Sequence, residues 1–156
     1  MASTLASSLR NDRVSELRLR EACTAAPSSP VRDALRCMSD RRAGCVLVLD
    51  GGKMVGIFTE RDFVNRVVTQ GLDVSGPVSR VMTPAPATVH IGATVQQAIE
   101  VMSGGFRHLP VVDDDGRPVG VLSIKDVVHY LVEYFPAKVY NLPPTPDSLQ
   151  PAREGA

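Results

Sequence analysis

The stretch Val55-Gly-Ile-Phe-Thr-Glu-Arg-Asp62 decides the fold, because it returns 64 positions later as Val119-Gly-Val-Leu-Ser-Ile-Lys-Asp126. The same offset aligns other identical residues without a gap, among them Val31 with Val95. A single shift that relates so many positions indicates an internal duplication. Each copy has only about 60 residues, which is small for an independent domain, so we expect the two copies to pack together.

Each copy has the pattern of a β-α-β-β-α unit. Apolar residues at i, i+3, i+4 and i+7 predict a helix that begins at Val31, and the second copy repeats this stripe from Val95. Continuous apolar runs over 45–49 and 109–112 predict strands that are covered on both faces. The remaining predicted elements are leading extended pieces over 21–25 and 86–89, returning strands over 54–58 and 118–122, and closing helices over 60–70 and 124–133. We therefore predict the α/β class, in an α+β-like form with helices on small sheets.

The chain is predicted to have four segments. Residues 1–13 are rich in Ser and are expected to be flexible, and 136–156 form a Pro-rich tail. The two units are placed at 14–72 and 73–135, with a short leading helix over 14–20.

Composition excludes several classes of protein. Apolar residues make up 44% and charged residues 22% of the chain, which is typical of a globular domain. The apolar runs are far shorter than the ~20 residues of a membrane span, and the first residues lack the apolar region of a secretory signal. Lys plus Arg and Asp plus Glu both number 17, so the basic excess of a nucleic-acid binder is missing. We expect no membrane or nucleic-acid partner.

Cysteine and histidine usage points away from metal and redox chemistry. Cys23, Cys37 and Cys45 are odd in number and irregular in spacing, which favours free thiols in a cytoplasmic protein. The three histidines have no carboxylate or cysteine partner at metal spacing. Sequence motifs of phosphate-binding loops and serine hydrolases are absent as well. We expect no enzyme, no metal and no required cofactor.

The repeated motif, Gly-apolar-apolar-(Thr/Ser)-x-(Arg/Lys)-Asp, has two interpretations. Thr59 and Ser123 lie where a strand runs into a helix, and Asp62 and Asp126 follow three positions later on the same side. This spacing is that of a helix capping box, with Asp in place of the usual Glu. It also suits a binding site, since a carboxylate accepts hydrogen bonds from both hydroxyls of a ribose. The two roles remain open and are compatible.

The neighbours of these residues fit the second interpretation. The N–H groups at a helix start attract phosphate, and Arg61 or Lys125 would add positive charge. The motif glycines, Gly56 and Gly120, are expected to let a flat ligand approach the backbone.

A second signal, Arg107-His-Leu-Pro-Val-Val-Asp113, occurs in one copy only. Pro110 lacks an N–H donor and suits the first residue of a strand or an edge. Arg107 and His108 would then lie at the mouth of that strand, either as a solvated entry or as part of a site. The first copy reads Ala43-Gly-Cys-Val-Leu-Val-Leu49 at this point, so the two halves are not equivalent.

These residues resemble the cystathionine β-synthase (CBS) domain, and the chain resembles a stand-alone tandem CBS-domain protein. The resemblance is carried by 56–62 and 120–126, with support from 107–113 and from Val81-Met-Thr-Pro84. It implies two units packed sheet to sheet around a pseudo-two-fold axis, with two clefts between them, and a homodimer of such pairs. It also implies binding of an adenosine-containing ligand: AMP, ADP, ATP or S-adenosylmethionine.

The resemblance assigns residues to each cleft. The first would consist of Asp62 on the ribose hydroxyls, Thr59 on sugar or phosphate, Arg61 as positive charge, the backbone of Ile57 beside the base, and Thr83 with Thr88 lining the base. The second would consist of Asp126, Ser123 and Lys125 in the matching roles, Val121 beside the base, Arg107 and His108 on phosphate, and Thr24 with Ala43 at the base end.

The resemblance leads to two hypotheses on function. The first is an adenine-nucleotide sensor that couples ligand binding to conformational change and to regulation of a protein not yet identified. The alternative is a ligand-independent dimeric adaptor with vestigial clefts. The residue that matches Thr83 in the first copy is Leu19, and that copy lacks the His-Leu-Pro element, so we expect clefts of unequal strength.

Overall fold

The computed structural model describes residues 4–135, which form five helices and seven strands. The helices are α1 (Leu5–Asn11), α2 (Val31–Arg41), α3 (Glu60–Asp62), α4 (Val95–Met102) and α5 (Ile124–Tyr134). The strands are β1 (Cys23–Ala25), β2 (Cys45–Asp50), β3 (Lys53–Thr59), β4 (Thr83–Pro84), β5 (Val89–His90), β6 (His108–Val112) and β7 (Pro118–Ser123). Single 3₁₀ turns lie at Val14–Glu16 and Val78–Arg80.

The strands form two sheets with the same local topology. The first sheet has the order β1-β2-β3-β4 and the second has the order β5-β6-β7. In each sheet the first pair is parallel and the next pair is an antiparallel hairpin. The predicted α/β class and the repeated β-α-β-β-α order are confirmed. The tight turn between β2 and β3 uses Gly51 and Gly52 at φ values of 57° and 81°, a region that glycine adopts without strain.

The segment that leads into each copy crosses to the sheet of the other copy. Strand β4 belongs to the leading segment of the second copy yet pairs with β3 of the first. Arg20 belongs to the leading segment of the first copy yet exchanges two backbone hydrogen bonds with Val121 of β7, at 3.1 and 3.0 Å. The two cores show the same exchange. Val14 and Leu17 are buried in the core of the second copy, and Val78 and Val81 are buried in the core of the first.

The two sheets meet through a small apolar cluster. Cys45, Leu47 and Ile57 of the first sheet are buried together with Val121 of the second. Each sheet also has its own larger core against its helices. This contact and the exchanged segments place the ends of β3 and β7 on either side of the junction between the copies.

The N-terminal segment contains a helix that was not predicted. Leu5–Asn11 form helix α1 within the segment 1–13 that was expected to be flexible. Thr4 caps this helix by accepting a hydrogen bond from the Ser7 amide at 3.3 Å. Beyond its end, the Tyr130 hydroxyl donates to the Asp12 carboxylate, so long-range contacts fix the segment.

Two helices also differ in extent from their predictions. The leading helix expected over 14–20 is a single turn at Val14–Glu16, because the chain becomes extended at Leu17 before Arg20 pairs with β7. The helix expected over 60–70 is α-helical over Glu60–Asp62 and continues as π-helix over Phe63–Val68. The predicted Pro-rich tail at 136–156 lies outside the described residues.

No helix within residues 4–135 is long and apolar enough to cross a membrane. The three cysteines are free, as predicted, and Cys23 and Cys45 are buried. Burial raises the pKa of each of these two thiols to about 12.

Candidate ligand clefts

The repeated motif forms a capping box in the first copy. Thr59 ends β3 with extended backbone and caps the helix that follows, accepting from the Asp62 amide at 3.2 Å. Asp62 returns through Oδ2, which accepts from the Thr59 amide at 2.9 Å and from the Thr59 hydroxyl at 3.0 Å. The capping interpretation is therefore correct for this copy.

The second copy repeats this geometry with Ser in place of Thr. Ser123 accepts from the Asp126 amide at 3.3 Å. Asp126 Oδ2 accepts from the Ser123 amide and hydroxyl, both at 2.8 Å. The Oδ2 atom of each carboxylate thus completes the cap. The Oδ1 atom has different neighbours in the two copies: Thr83 in the first and Arg20 in the second.

A first cavity of about 410 Å³ opens beside the first box. It is lined by Gly44, Ile57, Thr59, Glu60, Arg61, Asp62, Thr83, Pro86, Ala87, Gly104, Gly105, Phe106, Arg107 and His108. The wall therefore comes from both copies. Its volume falls within the range of small-molecule sites.

A second cavity of about 300 Å³ lies beside the second box. Its lining consists of Arg20, Glu21, Ala22, Cys23, Arg42, Ala43, Gly44, Cys45, Glu60, Arg107, His108, Val121, Ser123, Ile124 and Lys125. Four Arg or Lys side chains face two carboxylates here, which gives this cavity the more cationic wall of the two.

Comparison with known proteins identifies the family. Residues 14–69 and 78–133 each match the model of the CBS domain. The chain belongs to the CBS domain family. It is therefore a CBS pair, and the resemblance found in the sequence is confirmed.

Relatives of this CBS pair occur in distant organisms. An uncharacterized 17.7 kDa protein of Acidianus ambivalens is 30% identical over 78% of this chain and 74% of its own length. A CBS domain-containing protein of Arabidopsis thaliana is 37% identical over 67% of this chain, but the match spans only 19% of that protein.

Solved structures share the fold of the CBS pair. An uncharacterized conserved protein from Pyrococcus horikoshii superposes with a TM-score of 0.71 and 25% identity, over 78% of this chain and 92% of that one. A CBS domain protein from Pyrobaculum aerophilum, complexed with AMP, superposes with a TM-score of 0.70 and 31% identity, over 78% of this chain and 97% of that one.

Most of the residues assigned to the clefts line the cavities of the pair. The first cavity brings together Ile57, Thr59, Arg61, Asp62 and Thr83. The second brings together Ala43, Val121, Ser123, Lys125, Arg107 and His108. The last two were assigned to the second cleft alone, whereas they line both cavities because β6 begins at the boundary between them.

Three assigned residues lie elsewhere. Thr24 and Thr88 are exposed and line neither cavity. In β1, Cys23 is buried in the core and strand alternation turns Thr24 away from it, while Thr88 lies just before the buried Val89 of β5. Asp126 lines a third, more open cavity of about 600 Å³ that adjoins the second box.

His108 lies at the wall shared by the two cavities. A Cβ atom on Gly44 would come within 2.6 Å of the His108 Cε1 atom, so only glycine leaves room for the ring at this point. Burial lowers the pKa of His108, and the nearby Glu60 carboxylate opposes that shift. The imidazole therefore favours its neutral form.

The motif glycines have a packing role that the sequence did not predict. Gly56 and Gly120 line neither cavity. A Cβ on Gly120 would meet the Leu19 Cβ at 3.0 Å and the Arg20 carbonyl at 3.1 Å, and one on Gly56 would meet the Met82 side chain. These glycines make room for the exchanged segments.

Sequence reasoning missed several lining residues of the CBS pair. Arg20 lies in the leading segment of the first copy, and its backbone pairing with β7 has no local signature. Glu60 and Gly44 lie next to assigned residues, and the Glu60 amide donates to the Gly44 carbonyl at 3.3 Å. Within residues 4–135, no group of three or more His, Cys, Asp or Glu side chains could hold a metal ion.

Proposed function

We propose that this CBS pair is a regulatory module that binds an adenosine phosphate, such as AMP, in the clefts between its two copies. The observation that carries the proposal is the position of each Thr/Ser–Asp box. Each box lies at the end of a strand, beside a cavity with two or more Arg or Lys side chains in its wall. Each box therefore brings a carboxylate that can bind ribose hydroxyls close to cationic side chains that can bind phosphate.

In the first cleft, Asp62 is the proposed ribose partner. Its Oδ1 atom accepts from the Thr83 hydroxyl at 3.1 Å. A hydroxyl can rotate and exchange partners without leaving a buried charge unpaired, so ribose hydroxyls could share this oxygen. Arg61 and Arg107 lie in the same wall and would contact phosphate.

In the second cleft, phosphate is the better supported part of the ligand. Arg42, Arg107 and Lys125 line this cavity, and Ser123 caps the N-terminus of the 11-residue helix α5. Helix N-termini and guanidinium groups both favour a phosphate group. The Asp126 carboxylate adjoins this site and is the proposed ribose partner.

The Pyrobaculum aerophilum structure supports AMP as the ligand class. That CBS domain protein was solved with AMP and shares 31% identity with this chain. We therefore propose AMP, ADP or ATP as ligands.

A regulatory role follows from the construction of the clefts. The first cavity is lined by Thr59 and Asp62 from one copy and by Phe106 and Arg107 from the other. A ligand that contacts both copies favours the relative arrangement of the copies that it binds more tightly. We propose that this shift, rather than catalysis, regulates a partner protein, and that the module acts in the cytoplasm, as its free cysteines suggest.

Thermal unfolding against a ligand panel tests the proposal. A ligand present at a hundred times its Kd stabilises the native state by about 2.7 kcal/mol and raises the Tm. We expect AMP, ADP or ATP to raise the Tm in a concentration-dependent manner. GTP and inorganic phosphate are the controls for base and charge. Equal Tm values with and without millimolar adenine nucleotide would contradict the proposal.

A ligand-independent dimeric adaptor is the second candidate. The observation that favours it is that both motif carboxylates already have protein partners on each oxygen. A Tm that no ligand of the panel changes, together with a stable dimer, would support the adaptor.

A further inference from the structure

The second oxygen of the motif carboxylate, Oδ1, lies near a different cation in each copy. Asp62 Oδ1 lies 3.7 Å from the Arg66 Nε atom, which comes from the helix that follows the box. Asp126 Oδ1 lies 3.3 Å from the Arg20 Nε atom, which comes from the exchanged segment. The offset of 64 places Tyr130 at the position of Arg66 and Pro84 at the position of Arg20, so neither cation is duplicated.

The two arginines also differ in how firmly they are held. Arg66 donates from Nη1 to the Val81 carbonyl at 3.2 Å and to the Met82 carbonyl at 2.6 Å, so its guanidinium is fixed in the first copy. Among residues 4–135, the Arg20 side chain hydrogen-bonds to Asp126 alone, and it is 55% exposed. Its backbone is nonetheless fixed by the two hydrogen bonds with Val121.

Arg20 lies between the Asp126 carboxylate and the cavity in which we propose that phosphate binds. It lines the second cavity together with Arg107 and Lys125, and it also lines the adjoining third cavity together with Asp126. A guanidinium group binds carboxylate and phosphate with the same planar geometry. Because its backbone is fixed and its side chain is long, Arg20 can therefore bind either the Asp126 carboxylate or a ligand phosphate.

We propose that Arg20 determines the ligand specificity of the second cleft by exchanging Asp126 for the phosphate of the ligand. A nucleoside that lacks phosphate must displace Arg20 from Asp126 without offering it another anion. A nucleotide displaces the same contact and supplies phosphate in return. The second cleft therefore discriminates against the nucleoside more strongly than the first cleft does. This inference rests on the proposed nucleotide binding and deepens it.

Nuclear magnetic resonance with separate readouts for the two clefts tests the exchange. Adenosine and AMP are titrated into ¹⁵N-labelled full-length chain, and Kd values are read from the Lys125 and Asp126 amides for the second cleft and from the Arg61 amide for the first. In Arg20→Met, AMP loses a charge-assisted contact while Asp126 becomes free for the ribose. We expect the adenosine-to-AMP ratio of Kd values at the second cleft to fall about tenfold. The ratio at the first cleft stays unchanged.

The variants Arg117→Met and Arg20→Lys complete the design. Arg117 is an exposed arginine that lines none of the three cavities, so its loss should leave both ratios unchanged. Arg20→Lys keeps the positive charge without the planar geometry, and an intermediate ratio is expected. An unchanged ratio in Arg20→Met, or an equal fall in Arg117→Met, would overturn the role of Arg20 while nucleotide binding stands. A second cleft without any AMP response in the wild type would overturn both.

Discussion

At the scale of single residues, the motif aspartates carry two functions on two oxygens. Oδ2 of Asp62 and of Asp126 completes a capping box, and Oδ1 contacts the exchanged segment through Thr83 or Arg20. The sequence left capping and ligand binding open as alternatives. The geometry establishes the cap and leaves one oxygen of each carboxylate at the proposed binding site.

Substitution of Asp126 separates these two functions. Asp126→Ala removes the acceptor of the Ser123 amide and hydroxyl, so we expect a loss of about 1–2 kcal/mol in the free energy of unfolding. Asp126→Asn keeps an oxygen that can accept the same hydrogen bonds, so its free energy of unfolding should fall clearly less. Urea denaturation measures both. Asp115→Ala, in an exposed turn, is the control, and a loss in it equal to that of Asp126→Ala would contradict the capping role.

His108 makes stability depend on pH. Burial lowers its pKa below the ordinary value of 6.5, so the folded state binds the proton less readily than the unfolded state. Stability therefore falls as the pH drops from 6.5 toward the lower folded pKa. His108→Asn should lose less stability than the wild type when urea denaturation is compared at pH 7.5 and pH 5.5. Parallel pH profiles of the two proteins would contradict this expectation.

At the scale of elements, the local sequence pattern was sufficient to predict the helices and strands of the repeated unit. The apolar stripe from Val31 and the runs over 45–49 and 109–112 each predicted an element that the structure contains. Helix α1 and the exchange of Arg20 onto β7 were not predicted, because both depend on partners far along the chain. The same reason explains the site: the boxes are local and were found, whereas Arg20 was missed.

Gly120 tests the exchange of segments. A methyl group at this position would press on the Leu19 Cβ and the Arg20 carbonyl, which are parts of the crossing backbone. We expect Gly120→Ala to lower the free energy of unfolding by about 1–3 kcal/mol. Val119→Ala removes an exposed neighbour on the same strand and is the control. Equal stability of the two variants, measured by thermal or urea unfolding, would contradict the tight approach of this segment.

At the scale of the whole molecule, the duplication leaves two matching apolar positions on the surface. Val64 and Val128 lie on the closing helices of the two copies, are related by the offset of 64, and are 52% and 51% exposed. Val68 extends this exposed set. A surface with pseudo-two-fold symmetry can pair with the same surface of a second copy. We therefore propose that the closing helices form the dimer contact.

Analytical ultracentrifugation tests the dimer. We expect the wild type to sediment as a dimer at micromolar concentration and Val128→Asp to sediment as a monomer, because the charge would be desolvated in the contact. Val119→Asp is the matched control, since Val119 is 49% exposed but lies on β7. A monomeric wild type, or equal dissociation in both variants, would contradict a dimer through the closing helices.

The central claim is that the Thr/Ser–Asp boxes bind the ribose of an adenosine phosphate. Isothermal titration calorimetry of AMP against the full chain tests it most directly, with Asp62→Asn and Asp126→Asn as variants that keep the capping oxygen. We expect saturable binding to the wild type and, in each variant, an affinity about tenfold lower at one cleft, since a charge-assisted bond is lost. Absence of heat at millimolar AMP, or unchanged affinity in both variants, would contradict the account.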